Sequence, residues 1–173
     1  MGEGLLVVFT GEGKGKTTAA LGMALRAAGH GMKILILQFI KGSRSSGELQ
    51  SLAGQNNIEI IPLGMGFTRR KEDLEEDREL ALRGWEKAIT SMRSGAYQML
   101  VLDELNHVLS LGLLPLETVV GALKNRPPGL HVVVTGRNAP QALISVADLV
   151  TEMQCVKHPY RDRGLKAQQG IEY

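Results

Sequence analysis

Five short apolar runs punctuate the chain: Leu5–Phe9, Ile34–Phe39, Ile58–Leu63, Met99–Leu102 and Leu130–Val134. Each is rich in Val, Ile and Leu and nearly continuous, without regular alternation with polar residues. A strand covered on both faces has that pattern, as in a parallel sheet flanked by helices. Between the runs lie stretches with helical spacing. Thr17–Gly29 holds good helix formers at Ala19, Ala20, Leu21, Ala24 and Leu25, with Gly29 or Gly31 as a stop. Asp73–Arg93 sets Leu74, Ala81, Leu82, Trp85, Ala88, Ile89 and Met92 at three- and four-residue steps along one helix face. Pro115–Asn125 opens on Pro and ends just before Pro127 and Pro128. Strands alternating with helices predict a three-layer α/β domain with a mostly parallel central sheet. No repeat, low-complexity tract or linker interrupts the pattern, so residues 1–173 read as a single domain.

Composition narrows the class without naming a reaction. Hydrophobic residues make up 43% of 173, which fits a globular chain with a core and argues against disorder. Twenty basic against 18 acidic residues leave a net charge of +2, too balanced for a nucleic-acid footprint, although a local basic cluster could hold a polyphosphate. Cys155 is the only cysteine, which excludes an internal disulfide and suits a reducing cytoplasm. On its own it reads as a small buried hydrophobe. No apolar run approaches the ~18 residues that span a bilayer, so no membrane is expected as a partner. The N-terminus lacks the basic region of a signal peptide, and Leu6 breaks the myristoylation pattern that Met-Gly would start. The dense charge run Arg69–Glu79 reads as the solvated start of the long helix, with acids near its positive end. The loop Gly64–Thr68 just before it leaves a second reading open, a lip over a ligand site.

Chemistry enters at Thr10-Gly11-Glu12-Gly13-Lys14-Gly15-Lys16-Thr17-Thr18, between the first apolar run and the first helical stretch. Glycines permit positive φ, so successive N–H groups can turn inward around a phosphate. The helix that follows adds its N-terminal N–H groups and partial positive charge. Lys16 would reach phosphate oxygens and the Thr17 hydroxyl would ligate Mg²⁺, as in a P-loop. Thr10 stands at the first Gly of the usual pattern, and glycines fall at 11, 13 and 15. A P-loop site also needs an apolar strand ending in an acid, and Met99-Leu100-Val101-Leu102-Asp103-Glu104 supplies one. Spacing alone does not say which acid touches the metal. His30, His107, His131 and His158 have no metal-ligand spacing.

A P-loop is a handle for a triphosphate and leaves the reaction open. No Asn-Lys-x-Asp guanine signature points to a GTPase, and 173 residues leave little room for a kinase's lid and acceptor pocket. The ordered set of motifs resembles the P-loop family of corrinoid (cob(I)alamin) adenosyltransferases from about Leu5 to Tyr173. Its markers are the loop Thr10–Thr18, Arg26-Ala27-x-Gly29-His30-Gly31, Gln38-Phe39-Ile40-Lys41-Gly42, Gly66-Phe67-Thr68 and Leu102-Asp103-Glu104-Leu105. Leu114-Pro115-Leu116, Thr135-Gly136-Arg137, Val156-Lys157-His158 and Lys166-Ala167-Gln168-Gln169-Gly170-Ile171-Glu172-Tyr173 complete it.

The resemblance implies attack of Co(I) of a reduced corrinoid, such as cobalamin or cobinamide, on C5′ of ATP, with inorganic triphosphate as leaving group. Lys16 and Glu104 would be the catalytic pair. Thr17 and Glu104 would hold Mg²⁺ or Mn²⁺, with Asp103 as their partner at the metal. Residues Thr10, Gly11, Glu12, Gly13, Lys14, Gly15, Lys16, Thr17 and Thr18, with Arg137, would grip the phosphates. Arg26 would lie near the nucleoside, and Lys41 is a weaker candidate. Phe67 matches an aromatic that enters beneath the corrin ring and displaces its lower ligand. The C-terminal segment 157–173 would be ordered near the site, where composition alone suggests a mobile basic end. A reduced flavin or flavodoxin would supply electrons, and a homodimer is implied.

Three positions depart from the family's pattern. Arg69 stands where many relatives carry Trp, Glu12 replaces the more usual Asn, and the sequence starts four residues before its first strand, without the N-terminal arm of some relatives. The alternatives are a P-loop ATPase or kinase in which Glu104 activates water or a hydroxyl, and a non-catalytic ATP- and corrinoid-binding regulator.

Overall fold

The computed structural model describes residues 2–40, 47–52, 54–64 and 74–171. In chain order the elements are β1 (Leu6–Thr10), α1 (Lys16–Gly29), β2 (Ile34–Gln38), α2 (Gly47–Leu52), β3 (Ile58–Pro62), α3 (Leu74–Arg93) and β4 (Met99–Asp103). There follow α4 (Leu105–Ser110), α5 (Leu116–Lys124), β5 (His131–Thr135), α6 (Gln141–Ile144), β6 (Leu149–Glu152) and α7 (Pro159–Arg163). The strands form one sheet in the order β3-β2-β4-β5-β1-β6. Every pairing is parallel, a stricter result than the mostly parallel sheet expected.

Side chains on a strand alternate between faces, and that period sorts the core into two layers. Leu6, Val8, Leu35, Leu37, Leu100, Leu102, Val132 and Val134 face α3, α4, α5 and α6. Val7, Phe9, Ile34, Ile36, Met99, Val101 and Val133 face α1 and α2. Both faces are apolar because both are covered, which is why the runs read as continuous. On α3, Ala81, Trp85, Ala88 and Met92 are buried as the spacing predicts, and Glu75, Glu76 and Asp77 fill its first turn. Leu82, placed on the same face by periodicity, is 39% exposed.

The sixth strand departs from the sequence reading. All four residues of β6 are exposed, and it pairs only with β1, in register Val7↔Leu149 to Thr10↔Glu152. An edge strand needs no apolar run, so the hydrophobic pattern gives no signal for it. It is anchored at its start by Asp148, whose Oδ2 accepts from the Leu6 N–H at 2.6 Å and from Arg126 Nη2 at 2.7 Å. Arg126 Nη2 also donates to the Gly4 carbonyl at 2.6 Å, tying β1, α5 and β6 together at the end of the sheet away from the loop.

Candidate active site

The carboxyl ends of the strands bring together one row of polar side chains. Register aligns Gln38 of β2 with Asp103 of β4, and Phe9 at the end of β1 with Thr135 of β5. Asp103 continues the odd-numbered face of β4, so it points to the α1 side, where Thr17 begins the helix. Its Oδ1 accepts from Thr17 Oγ1 at 2.8 Å and from Thr135 Oγ1 at 2.7 Å, and its Oδ2 accepts from Gln38 Nε2 at 3.1 Å. Asp103 is 1% exposed. With its hydrogen committed to Asp103, the Thr17 hydroxyl keeps its lone pairs for a ligand in front of it.

The loop after β1 closes around Lys16. Its Nζ donates to the carbonyls of Gly11 and Gly13, each at 2.7 Å. Burial pulls the Lys16 ammonium below the usual lysine range; the Arg137 guanidinium adds to this, while Glu104 and Glu12 oppose it. These four charged groups therefore share one site. Gly15, at φ 108°, turns the chain into α1 with no side-chain cap and no acid in the first turn. The positive end of a 14-residue helix is thus left open to an anion. Thr10 uses its hydroxyl to accept from the Ala139 N–H at 3.1 Å, a structural task that explains a Thr at the first position of the pattern.

The outer side of the loop is braced by the residues that follow β6. The Gly13 N–H donates to the Met153 carbonyl at 2.6 Å, and the Met153 N–H donates to the Thr10 carbonyl at 2.9 Å. Gly13 is needed for this close approach, because a Cβ there would stand 2.7 Å from the backbone carbonyl oxygens of both Met153 and Gln154. Gly13→Ala is expected to lower stability by about 2–3 kcal/mol, or to push the loop off β6. Thermal melting with triphosphate binding checks this, with a lower midpoint and weaker binding as the expected result.

Glu104 has φ 65°, uncommon for a residue with a side chain, and Asn138 beyond β5 has φ 54°. Such conformations persist where surrounding contacts fix them and cluster at functional sites. The Glu104 N–H donates to Thr135 Oγ1 at 2.9 Å, which fixes the turn from β4 into α4. Asn106, fully buried, donates from Nδ2 to the carbonyls of Phe9 at 3.3 Å and Gly136 at 3.1 Å, locking α4 onto the ends of β1 and β5. Burial first, and the nearby Arg137 charge second, hold the His107 imidazole below its ordinary value.

Gln38, Thr135 and Asn106 are given no individual role by the sequence reading, although Gln38 and Thr135 stand among the family markers. An uncharged polar residue at the carboxyl end of an apolar strand was the available signal. Arg137 lies beside the loop, its Nη1 3.1 Å from Glu12 Oε2. Arg26 is not brought to the others: it lies exposed in the last turn of α1, ten residues and about 15 Å of helix rise from Lys16. Lys14 is exposed on the loop and Thr18 is exposed in the first turn of α1. Phe67, Lys41 and Arg69 lie outside the described residues, as do Glu172 and Tyr173. Cys155 is partly exposed, against the buried position expected. Of the C-terminal segment, α7 is capped by His158, whose Nδ1 accepts from the Tyr160 N–H, and most side chains from Lys157 to Ile171 are exposed.

A family model described as ATP:corrinoid adenosyltransferase BtuR/CobO/CobP matches residues 2–173. The chain belongs to this adenosyltransferase family. A corrinoid adenosyltransferase of a Sinorhizobium species is 44% identical over 174 residues, covering 99% of this chain and 81% of that protein. The corresponding adenosyltransferase of Escherichia coli K12 is 42% identical over 171 residues, covering 99% and 86%. Among solved structures, the flagellar accessory protein FlaH from Methanocaldococcus jannaschii aligns with a TM-score of 0.56 at 10% identity, over 87% of this chain and 71% of that one. That likeness concerns the fold alone. Among the described residues no helix is long and apolar enough to cross a membrane.

Proposed function

We propose that this chain uses the loop after β1 to hold the triphosphate of ATP as a leaving group while Co(I) of a reduced corrinoid attacks C5′. The cobalt electron pair forms the Co–C bond as Co(I) becomes Co(III). The C5′–O bond breaks, and its pair leaves on the triphosphate. No proton need move in this step, so the protein's tasks are to hold, align and neutralise. The observation that carries the reading is Lys16, 8% exposed and held inside the loop beside an uncapped helix end. When the polyphosphate arrives, its oxygens replace the Gly11 and Gly13 carbonyls as partners of Lys16.

The oxygen donors at the end of β4 fit a hard divalent cation. Thr17 Oγ1 and Glu104 face the site, Asp103 stands behind Thr17, and Gln38 Oε1 is buried without a hydrogen-bond partner among the described residues. A hydroxyl backed by carboxylates is the hard oxygen chemistry that suits Mg²⁺, which takes one or two protein oxygens and keeps several waters. Thr17 and Glu104 would hold Mg²⁺ or Mn²⁺, and Asp103 would fix Thr17. When bound, the ion supplies positive charge against the departing triphosphate. Arg137 grips phosphate oxygens from the β5 side, and Phe67 would be the aromatic that enters beneath the corrin ring. Co(I) survives only beside a strong reductant, which supports a cytoplasmic setting and a reduced flavin or flavodoxin as donor. A second copy of the chain completes the proposed partners.

The test is anaerobic incubation of the purified protein with MgATP and chemically reduced cob(I)alamin, repeated with cob(I)inamide. A light-sensitive adenosylcorrinoid spectrum is expected with at least one acceptor. Unchanged cob(I) spectra with both acceptors, in a protein that binds ATP, would favour the non-catalytic regulator.

A further inference from the structure

Glu12 is the only acid within the Thr10–Thr18 loop, and its carboxylate meets Arg137 at 3.1 Å. The pair bridges the two elements that approach the phosphate position, the loop after β1 and the turn after β5. Both side chains are more than half exposed, 60% for Glu12 and 54% for Arg137, so the pair is weak and easily opened. Glu12 and Arg137 both act electrostatically on the buried Lys16 ammonium, which places them around the same space. Within that space Lys16 is occupied by loop carbonyls and Arg137 by a carboxylate. The contact is a single one, one carboxylate oxygen near one guanidinium nitrogen, and it sets against Arg137 the same negative charge that a phosphate oxygen would bring.

We propose that Glu12 is an internal stand-in for phosphate. It occupies Arg137 in the free enzyme, swings away when a triphosphate chain arrives, and returns to Arg137 as inorganic triphosphate leaves. This rests on the reading that the loop and Arg137 hold triphosphate. Glu12 is then a positioning residue that sets how tightly polyphosphate is held. It acts on ATP and on the product alike, through competition for Arg137 and through repulsion of the incoming charge. The consequence matters most for release, since the product keeps the whole triphosphate chain and gains charge when the C5′–O bond breaks. Without Glu12, this loop would release its product more slowly.

The experiment is calorimetric titration of the full chain with inorganic triphosphate at low salt, for wild type, Glu12→Gln, Arg137→Gln and the double variant. Both positions are exposed, so each variant is expected to fold. Removing one negative charge a few ångströms from a polyanion should tighten triphosphate about tenfold, with the gain shrinking as salt screens it. In the Arg137→Gln background the gain should fall to about threefold or less, because only repulsion remains to be relieved. KM for ATP should drop with Glu12→Gln while kcat does not rise. Equal affinity of wild type and Glu12→Gln, or an equal gain in both backgrounds, overturns the proposal while leaving the phosphate site intact. Failure of the wild type and of Glu12→Gln to bind triphosphate at all removes the phosphate-site reading and the proposal with it.

Discussion

Replacing Lys16 with Met is expected to lower kcat/KM for adenosyl transfer by about 10²–10³-fold, the range seen when one preorganised charge partner of a transition state is lost. The melting temperature should stay within a few degrees of wild type. The reason for the split lies in the burial of Lys16. A desolvated ammonium held by two backbone carbonyls stabilises the fold little, because its two hydrogen bonds mainly offset the loss of water. Met has a similar length and no charge to desolvate. The cost falls on the departing triphosphate, which loses a cation buried in its cradle. A steady-state assay beside a thermal melt decides the matter. Loss of both activity and fold would mean that Lys16 is a structural clasp of the loop.

Asp103→Asn should do the reverse and damage both. The carboxylate accepts from three donors, Thr17, Thr135 and Gln38, inside the protein. Asn offers one oxygen and turns its amide hydrogens toward groups that are themselves donors. One or two buried donors are left unmatched at about 1–3 kcal/mol each. A loss of 2–3 kcal/mol corresponds to a fall in melting temperature of roughly 4–12 °C for a domain of this size. Thr17 also loses the acceptor that fixes its hydroxyl, so more Mg²⁺ should be needed for half-maximal activity. The measurements are a thermal melt and a Mg²⁺ titration of turnover. A variant that melts normally and needs no extra Mg²⁺ would show that the row at the end of β4 does not support the metal site.

Much of the scaffold was legible because β1, β2, β4 and β5 are buried on both faces and therefore write themselves as continuous apolar runs, while β3 at the edge keeps an apolar run although only Ile58 of it is buried. The loop was legible because its glycines, Lys16 and Thr17 lie next to one another in sequence. What stayed hidden was whatever arises only across elements. Gln38 and Thr135 look like ordinary strand ends until parallel register aligns their strands with β4 and Asp103 receives both. The brace of Met153 on Gly13 depends on β6, an exposed edge strand without an apolar signature. Glu12 could be seen as an extra charge beside the phosphates, but its pairing with Arg137 needed β5 next to β1. Arg26 is a marker of the sequence pattern that lies a helix length away from the loop, so nothing in the loop's own geometry gives it a role. Cys155 was read by the habit of its residue type and missed because the turn after β6 runs along the surface.

The fate of the phosphate chain tests the central claim most directly. Phosphorus NMR of a single turnover, with enzyme, MgATP and chemically reduced corrinoid mixed without oxygen, follows all three phosphates at once. The account predicts intact inorganic triphosphate appearing in step with the adenosylcorrinoid, with no matching ADP or orthophosphate. ADP and orthophosphate formed without any adenosylcorrinoid would contradict it, and would make this loop the site of phosphoryl transfer.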